Sequence, residues 1–179
     1  MDFLKRVKDR SPQYEKVHEE MITRFTVVQG GRAGSAAEGT SYEQGKFFLY
    51  KYEIFMYASL LGLKSNYNLP LTQEADKKTT FIPIRSWQPT ELAEYVIMGV
   101  LGKSPLDFYE LESKDEKAIE SAIRQAIDLM EEYANGGFDM IRGQLEKDPG
   151  FFQNNENCFI DLLDQYDVHA PVSSKVEKA

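Results

Sequence analysis

Apolar residues recur at three- and four-residue spacing over most of this chain, the signature of amphipathic helices. Ser11-Pro12 reads as an N-cap followed by Pro at the first helical turn, and Tyr14, Val17, Met21 and Phe25 then share one face. Ser41-Tyr42-Glu43-Gln44 has capping-box form and predicts a helix running to about Leu61. Phe47, Phe48, Ile54, Phe55, Ala58 and Leu61 form its broad inward face, and Gly62 is placed as the left-handed residue that ends it. Aromatic residues surround this helix on nearly all sides, which predicts a central position. Trp87 and Leu92 occupy the two positions of a hydrophobic staple around Gln88, opening a helix that Gly102 ends.

Ser113-Lys114-Asp115-Glu116 is a second capping box. It starts the cleanest amphipathic stripe of the chain, Ile119, Ala122, Ile123, Ala126, Ile127, Met130 and Tyr133, which Asn135-Gly136-Gly137 is expected to stop. Shorter helices are predicted over 138–145 and 156–166. The periodicity lapses in three places. Residues 29–41, QGGRAGSAAEGTS, have linker composition, without the Gly-Lys-Ser/Thr ending or preceding strand of a phosphate loop. Residues 63–89 are turn-rich, and KKTTFIPI within them has strand composition that Pro83 confines to an edge. The last residues, from Val168, resemble a frayed tail. The fold class is therefore mainly α: a single compact domain of about six helices, with at most a short edge strand or hairpin near residues 77–85. Its organisation reads as an N-terminal helical segment over 1–28, a Gly-rich linker over 29–45, a helical core over 46–166 and a flexible tail over 167–179.

Composition narrows the chemistry. The chain has 179 residues, a formal charge of −8, one Cys and two His. A lone Cys excludes an internal disulfide framework and a cysteine-built zinc site, and Cys158, in an apolar context, reads as a buried side chain. The net charge hides an asymmetry. Residues 1–85 hold 13 Lys and Arg against 10 Asp and Glu, whereas residues 86–179 hold 8 against 19. The first half is thus +3 and the second −11. Lys5, Arg6, Lys8 and Arg10 crowd the N-terminus; Lys64, Lys77, Lys78 and Arg85 flank the non-helical middle, near Tyr67, Phe81 and Trp87. Cations beside aromatic rings in a loop suit phosphate contact and base stacking, so these four are the candidate nucleic-acid-binding residues.

Catalytic motifs are missing from the sequence: there is no HExxH, GxSxG or paired-Cys pattern. His18 reads as a helix-surface residue, and Glu131 and Glu132, adjacent on a helix, point in different directions. Glu53, inside the aromatic helix, is the one carboxylate predicted to have a perturbed pKa, with Lys46, Lys51 or Arg85 as its ion-pair partner. No catalytic residue, metal site or cofactor follows from these patterns. The apolar stretches are too short and too often interrupted for a membrane span, and the basic N-terminus has no apolar run behind it, so a cytoplasmic location is expected.

Two stretches carry a resemblance. KYEIFMYASLLGLKSNYNLPL, from Lys51 to Leu71, runs an aromatic, Ala-containing helix into a Leu-Gly-Leu turn, a polar loop and a Pro. EEYANGG, from Glu131 to Gly137, ends a late helix. In this order they resemble small accessory proteins of the bacterial DNA phosphorothioation (Dnd) defence systems, over about residues 47–163. The family loop carries Gly-Lys/Arg where this chain has Ser65-Asn66-Tyr67-Asn68. The resemblance implies an intracellular, non-enzymatic component of a modification or restriction island that acts beside larger catalytic subunits. The expected function is binding of a partner protein, with DNA contact through the central basic loop. A generic helical oligomerisation module, forming homo-oligomers through exposed aromatics, is the alternative, and a carboxylate-based metal-dependent hydrolase centred on Glu53 is a third.

Overall fold

The computed structural model describes residues 2–27, 45–153 and 155–166. Among them are seven α-helices and one two-stranded sheet, so the fold is mainly α. Helix α1 spans Phe3–Lys8, α2 Glu19–Phe25, α3 Lys51–Ser65, α4 Thr90–Lys103, α5 Phe108–Glu112, α6 Glu116–Lys147 and α7 Cys158–Asp164. Strands β1, Gln13–Glu15, and β2, Lys78–Thr80, pair antiparallel with Tyr14 opposite Thr79. The predicted linker, apart from Gly45, and the predicted tail lie outside the described residues.

The core forms where α3 crosses α6. The expected breaks at Gly62 and at Asn135-Gly136-Gly137 do not occur: Gly62 lies within α3, and α6 runs unbroken through Gly136 and Gly137. These glycines let two backbones touch. A Cβ on Gly62 would overlap the Tyr133 carbonyl, one on Gly137 the Ala58 carbonyl, and one on Gly136 the Tyr67 carbonyl. The helix-propensity cost of Gly, about 1 kcal/mol each, is outweighed by the contact that its missing side chain permits. The residue that ends α3 is Asn66, at φ 52°, in the left-handed region that Asn tolerates better than most residues.

The loop after α3 is strapped onto α6. The Leu69 amide donates to the Glu132 carbonyl, Asn68 Nδ2 to the Glu132 carboxylate and the Tyr67 hydroxyl to Asp139. Asn135 Nδ2 donates to the carbonyls of Leu69 and Pro70, while its Oδ1 meets His18 Nε2 at 2.8 Å. The two stretches that carry the family resemblance are therefore one packed unit, and their Gly and Asn residues serve packing.

Other sequence expectations need correction. Pro12 leads into β1, not a helix, because residues 13–15 pair with 78–80; a short 3-10 turn over Lys16–His18 then leads into α2. Tyr14, Met21 and Phe25 are buried as expected, but that change of period leaves Val17 exposed. His18 is 3% exposed, between Asn135 and the ring of Phe138, not on the surface. Helix α3 starts at Lys51; Ser41 to Gln44 lie outside the described residues. The N-cap of α6 is Asp115, whose carboxylate accepts from the Ala118 amide, and the N-cap of α4 is Pro89. Helix α4 extends one residue past Gly102, to Lys103.

The charge asymmetry is partly satisfied within the chain. Arg6 pairs with Glu116 at 2.5 Å and Glu120 at 3.0 Å, Arg10 with Glu120 at 2.6 Å and Lys8 with Glu94 at 2.7 Å. The basic N-terminus thus lies on acidic positions of α6 and α4. Phe25, Phe47, Phe48, Tyr57 and Phe152 gather around Phe159, which joins α2, α3 and α7 into the same core.

Candidate functional site

The central segment forms one wall of a cleft of about 820 Å³. Thr79, Thr80, Phe81, Ile82, Ser86 and Gln88 line that side; Thr23 and Thr26 of the α2 region and Leu49 to Tyr52 at the start of α3 line the other. The β1–β2 pairing brings the segment there, and Trp87 anchors it. Trp87 is 1% exposed, packs edge-on against Phe55 and donates its Nε1–H to the Ile82 carbonyl at 3.0 Å. A buried indole donor requires such a partner.

Glu53 helps to shape the opposite wall. Its carboxylate accepts the amides of Leu49, at 2.7 Å, and Tyr50, at 3.2 Å. It therefore holds the chain at the entry to α3 as an N-terminal capping residue. Glu19, next to the cleft, is bonded by both Lys51 and the Tyr14 hydroxyl. Burial works against its ionisation, but these partners prevail and hold its pKa below the usual carboxylate value.

The four candidate cations take different partners. Lys77 pairs with Glu74 at 2.7 Å, Arg85 with Asp9 at 2.7 Å and Lys64 with Asp164 at 3.8 Å. Lys78, on β2, lies close enough to Asp128 and Glu131 of α6 to favour their ionised forms. Lys77, Lys78 and Arg85 belong to the segment that walls the cleft or its immediate flank, whereas Lys64 sits at the end of α3 beside α7.

The carboxyl with a strongly raised pKa is Glu131, which the periodicity did not single out. Burial and neighbouring Asp128 push it up to about 7, against the opposing effects of the Gln13 amide, which it accepts at 2.8 Å, and Lys78. Burial likewise lowers the pKa of His18, whose Nδ1 is buried without a protein partner. Cys158 is fully buried, and burial raises its thiol to about 11, far from the thiolate a nucleophile needs. No group of three or more His, Cys, Asp or Glu is disposed to hold a metal ion among the described residues. No described helix is long and apolar enough to cross a membrane.

A second concavity, of about 630 Å³, lies between α3, α4 and α7. Leu60, Leu63, Leu163 and Gly99 line it with Tyr95 and Met98, which are 69% and 58% exposed. Lys64 and Lys103 stand among these apolar residues, and Ile160, 61% exposed, lies one turn from Leu163 on α7. Tyr95 lies in the helix that the sequence pattern predicts before Gly102, and its exposure emerges only from the packing of that helix.

A model of the family described as DNA sulphur modification system-associated protein 4 matches residues 37–173. No curated protein and no solved structure matches the chain.

Proposed function

Because this chain belongs to the DNA sulphur modification system-associated protein 4 family, we propose that it is a non-enzymatic, cytoplasmic accessory component of such a system, which binds a partner protein and touches DNA through its central segment. The observation that carries this reading is the groove between α3, α4 and α7. Side chains as large and apolar as Tyr95 and Met98 are costly to leave in water, and contiguous exposed apolar surface marks interaction sites. Lys64, paired with Asp164 at 3.8 Å, and Lys103, which donates to Asn66 Oδ1 at 3.1 Å, bring two cations to the groove in a protein of net charge −8. The complementary occupant is an acidic amphipathic segment of a partner, with apolar residues over Leu60 and Leu63 and carboxylates towards the two lysines.

DNA contact draws support from Lys77, Lys78 and Arg85. The ion pairs of Lys77 and Arg85 are solvent-exposed, with side chains 60% and 59% accessible, and such pairs are worth about 0–1 kcal/mol. Phosphates therefore compete for these cations at little cost, and the counterions they release favour binding.

Co-expression with the other gene products of a DNA sulphur-modification system, followed by purification through a tag on this chain, tests the partner. The wild type is expected to retain one of them stoichiometrically and the Lys64→Glu/Lys103→Glu variant to lose it. Retention by both, or a chain that only self-associates, contradicts the reading. A salt titration of duplex binding tests the DNA part, which falls if no binding appears at low salt.

A further inference from the structure

We propose that the cleft between α2, the start of α3 and the central segment is a nucleobase-binding site in which Tyr50 is the stacking platform. Three rings lie nearly parallel in a row. Tyr50 and Tyr52 are 5.2 Å apart at 11°, and Tyr52 and Trp87 are 5.7 Å apart at 5°. Trp87 closes the buried end of the row at 1% exposure, Tyr52 is 8% exposed, and Tyr50 ends it on the solvent side at 43%.

The outermost ring of the row is left half in water. The rigidity of the row has identifiable causes. Trp87 is fixed by its bond to the Ile82 carbonyl, Tyr52 is buried between the rings of Trp87 and Tyr50, and Glu53 holds the amide of Tyr50. A preorganised aromatic face loses little entropy when a second ring stacks on it. Base-on-aromatic stacking is tolerant of base identity and strengthens binding substantially per base.

The rest of the cleft suits the same ligand. Its volume of about 820 Å³ lies within the range of small-molecule sites, roughly 300–1,000 Å³. Thr23, Thr79, Ser86 and Gln88 are among its lining residues, and their hydroxyl and amide side chains are of the kind that meets the mixed donors and acceptors of a base edge. Lys51 lines it too, already paired with Glu19, and Lys46 flanks it through its bond to the Thr23 carbonyl at 2.8 Å, so a phosphate attached to the base would exchange with the half-exposed Glu19 carboxylate for Lys51. The shared chemistry is a planar base carrying a phosphate, from a free nucleotide or from an unpaired position of a DNA strand. With a strand as its source, the inference rests on the DNA contact proposed above; with a free nucleotide it stands alone.

Calorimetric titration of the full chain with deoxyadenosine monophosphate, with a single-stranded oligodeoxynucleotide and with the corresponding duplex tests it. Binding of the nucleotide or the single strand is expected, with Tyr50→Phe unchanged and Tyr50→Leu weakened about ten-fold or more. Equal per-site affinity for nucleotide and strand assigns the free nucleotide as ligand; binding of the strand alone assigns an unpaired base. Circular dichroism checks that Tyr50→Leu keeps its helix content, and Thr79→Val, on the opposite wall, is a second variant expected to weaken the same binding. Absence of binding to both, or a Tyr50→Leu variant that binds as well as wild type, overturns the proposal. Duplex binding with a steep salt dependence but no effect of Tyr50→Leu overturns it while leaving the phosphate contact of the central segment intact. Partner retention by Tyr50→Leu keeps the test separate from that of the groove.

Discussion

Gly137 packs its Cα against the Ala58 carbonyl so closely that no side chain fits between them. This contact sets the approach of α3 and α6, and with the matching positions at Gly62 and Gly136 it explains why Gly occurs in the interior of both helices. Gly137→Ala is expected to destabilise the protein by about 3 kcal/mol or more, because a rigid carbonyl, unlike a flexible side chain, does not move aside. Gly143→Ala, in the same helix but with open space around its Cα, is expected to stabilise by about 0.5–1 kcal/mol through helix propensity. Urea unfolding of the two variants checks the pair; equal effects would contradict the close crossing.

Glu131 gives stability a pH dependence of definite sign. Its folded pKa, about 7, lies above the ordinary 4.5, so the native state holds a proton that the unfolded chain releases first. The resulting penalty is absent below about pH 4.5, grows between the two values and is complete above about pH 7. Glu131→Gln, which still accepts from the Gln13 amide, is expected to stabilise by on the order of 1–3 kcal/mol at pH 8 and hardly at all at pH 4. Denaturant midpoints at the two pH values measure the difference. A gain that is the same at both would show that charge is not the cause.

His18 acts in the opposite direction. Its folded pKa lies below the ordinary 6.5, so the unfolded chain takes up the proton first as pH falls. Stability is therefore lost with acidification below about pH 6.5. NMR titration of the His18 ring is expected to show a neutral imidazole at pH 6.5, with the Nε2 proton facing Asn135 Oδ1. A ring half-protonated at that pH would contradict its burial.

Cys158 is expected to be inert in the native state. A thiol with no accessible surface and a pKa near 11 reacts with alkylating reagents only through unfolding, so its rate should follow denaturant concentration. Rapid native modification would place the thiol at the surface.

The helical class, the edge strand at 78–80 and the burial of Tyr14, Met21, Phe25 and Cys158 were legible from periodicity and composition, because those features depend on local pattern. What the pattern misjudged depended on partners distant in sequence. Asn135-Gly136-Gly137 has the composition of a helix end, and only the backbone of α3 pressing on it shows why it is a helix interior. His18 looked like a surface residue until Asn135, 117 positions later, supplied its hydrogen bond. Among the candidate cations, Lys77, Lys78 and Arg85 lie in one segment but face different carboxylates, Glu74, those of α6 and Asp9, whereas Lys64 lines the α3–α4–α7 groove with Lys103. Trp87 and Phe81, read as rings available to a base, pack in or against the core, whereas Tyr67 is 37% exposed and Tyr50, which carried no motif, 43%. Exposure is a tertiary property, and periodicity reports it only for regular amphipathic elements.

The groove beside Lys64 and Lys103 is the proposed docking place for a partner protein. The most direct measurement is an equilibrium titration of the purified partner from the sulphur-modification system with wild type, Lys64→Glu/Lys103→Glu and Tyr95→Ala/Met98→Ala, at low and high salt. The account predicts that each double variant weakens binding about ten-fold or more, and that raising the salt weakens the wild type while changing the charge-reversed variant little. Wild-type affinity in both variants, or a groove occupied by a second copy of this chain in the absence of any partner, would contradict it.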